Sequence, residues 1–291
     1  CAAIARVRTP DYSEETGYLR EQLGLALIIN PELEAAREVA RILYLPTALE
    51  VNSFAHGQAE LVKFKVPEGN LLNGLSLAYL GKNITNDILI CAVERNGEVY
   101  MPNGDFVLQS GDVVSFVSER HIARDFLKQI GLATRQVKDT MIIGASKAAY
   151  YLAKDSQTPQ LIHVNDKTTD LIQLSSVCHP KAIIINGDGT DPDILKEEGI
   201  ETVQSFIPLT GIDEENIMLT LYAKQVSKAK VVTKINRVNY KQVINNLDLG
   251  SLVYPKYITS EAIIAYVRAK KNSMGSNIET LYHMFDSRVE A

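Results

Sequence analysis

Cysteine is scarce in this 291-residue chain: Cys1, Cys91 and Cys178 are the only three, odd in number and far apart. Neither a disulfide framework nor a Cys-x-x-Cys metal site can be built from them, which suits a reducing compartment. The five histidines (His56, His121, His163, His179, His283) show no His-x-His or His-Glu-x-x-His spacing. The neighbours Cys178 and His179 would point opposite ways in extended chain, so no metal is expected. Basic residues are not in excess either: 30 Lys and Arg against 35 Asp and Glu leave a net charge of -5. Duplex binding rests on dense Lys/Arg contacts to phosphate, so no nucleic-acid partner is expected. No apolar run approaches the roughly 18–20 residues that span a bilayer. The chain is therefore read as soluble, without direct membrane insertion, while leaving room for a membrane-bound partner. Met and a signal peptide are both missing from its start, which reads as a piece of something longer.

Catalytic arrangements are missing too. There is no Ser/His/Asp order, no paired catalytic carboxylates and no Gly-x-Ser-x-Gly elbow. Tyr222 and Lys224 have the wrong spacing for a Tyr-x-x-x-Lys pair, and Tyr222 is expected to pack in a core. No enzyme is expected.

What is present is an ordinary globular balance, 46% apolar and 22% charged residues, over a length suited to more than one domain. Ala3–Val7 has the composition of a short strand, and Leu25–Ile29 forms a second apolar run. Asn30-Pro31-Glu32 then predicts a helix start: Asn as N-cap, Pro at the first helical position, Glu near the positive end of the dipole. From about Gly57 to Ile130 the pattern predicts a compact α+β module, with a half-exposed strand at Leu61–Val66 and a type I′ hairpin at Asn96-Gly97. From Lys138 strands and helices alternate: Met141–Ile143, Leu161–Val164, Ala182–Ile185, Phe206–Thr210 and Val231–Ile235 predict a doubly wound parallel sheet. The helix near Asp213 is expected to turn Ile217, Leu221 and Ala223 inward.

A repeat runs through this pattern. Ile4-Ala5-Arg6-Val7 lies over Val232-Thr233-Lys234-Ile235 at an offset of 228, both runs reaching a Tyr at Tyr12 and Tyr240. Asn30-Pro31 before an amphipathic helix matches Tyr254-Pro255 before another. The expected division is therefore 1–56 as the tail of a first nucleotide-binding fold, 57–134 as the α+β module, and 135–291 as a second nucleotide-binding fold.

On these residues the chain resembles the TrkA family of regulatory subunits of bacterial potassium uptake, built from tandem RCK (regulator of potassium conductance) halves. The resemblance is carried by Ile4–Tyr12, Glu60–Gly69, Gly97–Asp105, Ser110–Val113 and Gly187-Asp188-Gly189-Thr190-Asp191. It implies a Rossmann-type RCK-N domain plus a smaller α+β RCK-C domain. It further implies a cytoplasmic, membrane-peripheral protein that assembles as a dimer or tetrameric ring and gates a membrane potassium-translocating subunit. Its ligand would be NAD(H) or an adenine nucleotide, weakly held or lost in the second fold. The amphipathic helices after Pro31 and Pro255 are candidates for exchanged contacts or, equally, for core stripes of a single domain. A cyclic dinucleotide on the RCK-C module has no residue pattern in its favour.

The candidate binding residues cluster at strand ends. A Rossmann fingerprint needs a tight turn, a close backbone approach to the pyrophosphate and a small third position. Gly144 keeps the first and Ala149 suits the third, but in Gly144-Ala145-Ser146-Lys147 the second glycine is Ser146, whose side chain would crowd a phosphate. Lys147 adds a mobile cation, and the helix start still offers N–H groups. After the second strand Asn165, with Asp166 next to it, replaces the usual ribose-binding acid. By resemblance Gly187 and Asp188, and Thr210 with Gly211, would line the adenosine end, Arg6 would face a phosphate, and Lys234 would correspond to Arg6, with Arg237 as the second basic residue after that strand. Each has a plainer alternative: a turn residue for Asp188, a helix lead-in for Thr210, solvated surface for the arginines. Two other readings stay open, a NAD-dependent oxidoreductase and a ligand-free assembly module.

Overall fold

The computed structural model describes residues 3–8, 16–54, 58–84, 87–132, 136–155, 160–164, 183–237, 243–244, 247–272, 283–284 and 289–290. These divide into two compact units, one of residues 1–43 with 137–275, the other of residues 44–136 with 276–291.

In chain order the first unit opens with β1 (Ala3–Arg6), α1 (Thr16–Gln22), β2 (Leu25–Ile29) and α2 (Pro31–Tyr44). β1 and β2 are parallel, with Arg6 opposite Ile29. α2 starts as its sequence dictates: the Asn30 side-chain oxygen accepts from Leu33 N–H at 3.1 Å, and Pro31 needs no partner for a missing donor.

The smaller unit holds β3 (Ala48–Phe54), β4 (Ala59–Lys65), α3 (Leu77–Asn83), β5 (Leu89–Arg95), β6 (Glu98–Tyr100), β7 (Val113–Ser118) and α4 (Arg120–Gln129). Its antiparallel sheet has the order β3-β4-β7-β5-β6. The Asn96-Gly97 turn has positive φ at both residues (53° and 81°), as a type I′ hairpin requires. Phe106-Val107-Leu108 is a bridge segment rather than a strand, tied by Leu77 N–H to Phe106 O and Leu108 N–H to Leu75 O. The core is a herringbone of Phe64, Phe116 and Phe126, each ring meeting the other two edge to face at 5.1–6.2 Å. The buried Asp112 carboxylate takes two hydrogen bonds from Arg95, both 2.7 Å, and one from Gln109 N–H. This unit reaches back to residue 44, whereas the sequence places its start at 57, because β3 pairs with β4.

The chain then completes the first unit: β8 (Thr140–Ile143), α5 (Lys147–Asp155), β9 (Gln160–Val164), β10 (Ile183–Asn186), α6 (Pro192–Glu197), β11 (Ser205–Pro208), α7 (Asp213–Val226), β12 (Lys230–Lys234), β13 (Ser251–Val253) and α8 (Pro255–Asn272). A short antiparallel pair, β14 (His283–Met284) and β15 (Val289–Glu290), follows. The six-stranded sheet is parallel throughout in the order β10-β9-β8-β11-β12-β13. This is the doubly wound arrangement expected of the α/β class, and its strand order reverses between β8 and β11. β8 and β11 are buried along their whole length, since helices cover both faces.

The repeat is structural. Val7 N–H donates to Ile29 O at 2.8 Å, and Ile235 N–H donates to Val253 O at 3.0 Å. Arg6 faces Ile29 as Lys234 faces Val253, and a proline opens the helix after each second strand. α2 does not close a core of its own with β1 and β2. Its Ala35, Ala36, Val39, Ile42 and Leu43 lie in one buried cluster with Ile142, Ala149, Leu152, Ile207, Leu209 and Val232 of the six-stranded sheet and α5. On α7 the inward residues are Asn216, Leu219, Thr220 and Ala223, while Leu221, expected inside, is exposed: it falls on the opposite side of the helix from Leu219 and Ala223.

Candidate functional site

The reversal of strand order marks the carboxyl ends of β8 and β11 as the crevice position at which open α/β sheets bind ligands. Gly144 follows β8 there with φ +99°, a conformation L side chains rarely adopt. A Cβ on it would stand 3.1 Å from Thr210 Cα and 3.2 Å from Thr210 N. Gly144 therefore serves both the tight turn and the close approach of two backbones. Ala145 and Ser146 are half-buried, and Lys147 is exposed. Ser146 is the N-cap of α5: its Oγ accepts from Ala149 N–H at 3.4 Å and its carbonyl from Tyr150 N–H at 3.0 Å. Ala149, at the third small position, is fully buried beneath the sheet, as a closely packed helix requires.

On the β11 side Thr210 is fixed by Asn216, which is wholly buried. Asn216 Oδ1 accepts from Thr210 N–H (3.0 Å) and Thr210 Oγ1 (2.9 Å), and its Nδ2 donates to Lys234 O (3.0 Å). One amide thus ties the ends of β11 and β12. Asp213, buried at the start of α7, accepts from Asn236 N–H and Nδ2 through one oxygen and from Arg237 N–H through the other. Neither residue announces this role in the sequence; an Asn and an Asp three apart at a helix start carry only a capping signal.

Lys234 is buried, and its ammonium donates to Leu209 O at 3.0 Å. Burial pushes it down to about 8, with the charges of Asp213 and Glu32 opposing that shift and Arg8 adding to it. Arg6 and Arg8 are both about half exposed and both donate to Glu32 Oε1, at 3.2 and 2.6 Å. Glu32 stands in the first turn of α2, buried, with its Oε2 lacking a hydrogen-bond partner. One turn into α5, Tyr151 OH accepts from Asn30 Nδ2 at 2.8 Å in a buried bond. Glu32, Asn30 and Tyr151 escape a sequence reading because their partners lie far along the chain.

Gly187 follows β10 and is half-buried, while Asp188 is exposed. Asp188 Oδ1 accepts from Thr190 Oγ1 (2.7 Å) and Thr190 N–H (2.9 Å), and these bonds hold its carboxyl below the usual range. That is the geometry of an Asx turn, the plainer of its two readings. Arg237 pairs with Glu214 at the surface. Tyr222 is half-buried and packs against the cluster of Met141, Leu219 and Ala223. Asn165, Asp166, Cys178 and His179 lie outside the described residues. The structure thus brings Gly144, Ala145, Ser146 and Thr210 to one crevice edge and joins Lys234 to it through Leu209 O. It sets Arg6 on Glu32. Among the described residues no group of three or more His, Cys, Asp or Glu could hold a metal, and no helix is long and apolar enough to cross a membrane.

Comparison with known proteins agrees with this architecture. Residues 61–131 match the TrkA-C domain and residues 140–255 the TrkA-N domain. The Trk system potassium uptake protein TrkA of Haemophilus influenzae is 28% identical over 99% of this chain and 63% of its own length. A TrkA homolog of Methanosarcina mazei is 29% identical over 99% of this chain and 69% of its own length. The TrkA homolog of Archaeoglobus fulgidus is 29% identical over 95% of this chain and 63% of its own. The chain thus spans about two thirds of the length of these relatives. Among solved structures, the GsuK RCK domain superposes with a TM-score of 0.63 at 18% identity, over 94% of this chain and 58% of that one. The GsuK channel bound to NAD superposes with a TM-score of 0.62, over 48% of its chain. These two share the fold. With a TrkA-C domain followed by a TrkA-N domain, the chain belongs to the TrkA family.

Proposed function

We propose that this chain is the nucleotide-sensing portion of a regulatory subunit that gates a membrane potassium uptake protein from the cytoplasmic side. The observation that carries the reading is the crevice at the strand-order reversal, where Gly144 at positive φ lets the loop after β8 pack on the backbone of Thr210. The fit of an adenine nucleotide or NAD(H) rests on that turn, on the α5 N-terminus and on Lys147, with Gly187, Asp188 and Thr210 at neighbouring strand ends. NAD(H) is a candidate because one solved structure of the same fold carries NAD. When bound, the ligand would supply a charge and a shape that favour one arrangement of paired folds. Only a difference in affinity between two arrangements can shift such an equilibrium.

We also propose that residues 1–43 derive from a first nucleotide-binding fold of the same kind. In support, β1-β2-α2 reproduces the pairing and proline start of β12-β13-α8. Homo-oligomers and a membrane-embedded partner follow from the same reading. Isothermal titration of the chain with NADH, NAD, ATP and ADP tests it: saturable binding of any of these is expected. Absence of binding at millimolar ligand would instead favour a ligand-free assembly module. The internal use of Ser146 Oγ and of the Lys234 ammonium is what recommends that second reading.

A further inference from the structure

Four features at the phosphate end of the crevice bear on which nucleotide can sit there. Ser146 takes the position where a dinucleotide-binding loop has its second glycine, and its side chain is fixed by the bond from Ala149 N–H. The loop has nowhere to retreat, since even a methyl group on Gly144 would press on Thr210 and Leu209 backbone at 3.1–3.3 Å. The Lys234 ammonium, at the end of β12, is buried and directed to Leu209 O rather than to the crevice mouth. Lys147, by contrast, is exposed at the first position of the helix, where a phosphate is favoured by both the cation and the dipole.

A bridging pyrophosphate and a terminal phosphate respond differently to such a loop. In a dinucleotide the phosphates are esterified at both ends, so they must lie where two nucleosides hold them, against the backbone at the second glycine position. A Cβ there cannot be avoided. A mononucleotide is anchored at one end only, and its phosphates can stand off from the Cβ, accept from the Ser146 hydroxyl and reach Lys147. We infer that Ser146 sets the ligand class of this fold, admitting adenine mononucleotides and turning away dinucleotides. This rests on the reading that the fold takes a nucleotide at all.

The test is calorimetric titration of the 291-residue chain with ADP and with NADH, for wild type, Ser146→Gly and Ser146→Ala. The wild type should bind ADP at least about tenfold more tightly than NADH. Ser146→Gly should tighten NADH by about tenfold and weaken ADP a few-fold through the lost hydroxyl. Ser146→Ala, which keeps the Cβ, should leave NADH weak. Glycine is a tolerable N-cap in place of serine; matching thermal melts will show that the variants are folded. Equal or tighter NADH binding by the wild type would overturn the inference, as would an unchanged NADH-to-ADP ratio in Ser146→Gly. If neither ligand binds wild type or Ser146→Gly, the nucleotide reading itself fails and takes the inference with it.

Discussion

Replacing Lys234 by Met should change the pH dependence of stability in a direction the structure determines. The Lys234 ammonium, at the end of β12, is buried and lowered to about 8 from an ordinary 10.5, burial outweighing the help of Asp213 and Glu32. In the unfolded chain the same group stays protonated to the ordinary value. Between about 8 and 10.5 the unfolded state therefore binds more protons, and stability rises with pH through that window. The contribution is complete above the unfolded value and is lost as pH falls through the folded one. Two to three pKa units correspond to about 3 kcal/mol at 1.36 kcal/mol per unit. Met has a similar shape, no charge and no donor, so it removes that cost and leaves Leu209 O without its bond from Lys234, a loss of about 1–3 kcal/mol. Near pH 7 the two effects nearly cancel. Near pH 10 only the lost bond remains, and the wild type should be the more stable. The measurable quantity is the difference in unfolding free energy between wild type and Lys234→Met, followed by urea denaturation from pH 7 to 10. It should move toward the wild type by about 2–3 kcal/mol. A difference independent of pH would refute the reasoning, as would NMR titration of the Lys234 ε-methylene showing an ordinary value.

Other substitutions probe the same scaffold. Gly250→Ala places a Cβ 2.5 Å from Val231 O at φ +71°, and should cost more than about 2 kcal/mol, read as a lowered thermal midpoint, because the obstacle is backbone. Gly81→Ala, in α3 with nothing within 4 Å, should instead raise stability by up to about 1 kcal/mol in the same assay. Tyr151→Phe leaves Asn30 Nδ2 buried without its partner and should cost about 1–3 kcal/mol by urea denaturation. Arg95→Lys cannot keep both bonds to Asp112 and the one to Val107 O; hydrogen exchange at Val113–Ser118 should rise by one to two orders of magnitude, corresponding to about 1–3 kcal/mol.

What could be read in advance depended on how local each cause is. The cap at Asn30, the proline at the first turn of α2 and the two positive-φ residues of the Asn96-Gly97 turn act within four residues, and all are where the pattern puts them. The strands β8 and β11 were legible because burial on both faces leaves an unbroken apolar run. β3 was not: Ala48–Phe54 mixes Glu50, Asn52 and Ser53 into its alternation, and its identity comes from pairing with β4. The crevice was legible at Gly144 and at the Ser146 substitution, since both are departures from a spaced motif. Glu32, Asn216 and Tyr151 were not, because each acquires its role from a partner on another element of the sheet or helices. The Ser146 hydroxyl was expected to stand in the way of a phosphate, and it also caps α5, a use no spacing rule encodes.

The placement of α2 bears on how a ligand could be felt beyond the crevice. Its Val39, Ile42 and Leu43 are buried against the sheet of the TrkA-N fold and α5. Three such side chains contribute about 5–9 kcal/mol of burial at most, comparable to the net stability of a whole domain. The helix is thus part of that fold's core rather than an accessory to it. Its start is also tied by Asn30 to Tyr151 on α5, the helix that opens just after Gly144 at the carboxyl end of β8. Any shift of α5 on ligand binding must then move α2 or break a buried bond and a packed face. Because packed cores respond by switching between discrete arrangements rather than by stretching, the cheaper course is for α5 and α2 to move together. α2 follows β1 and β2 as α8 follows β12 and β13, so the helix of one such β-β-α run is seated on the six-stranded fold that contains the other. Under the proposed function, occupancy of the crevice would therefore reach α2 through α5, by the Asn30–Tyr151 bond and the shared core.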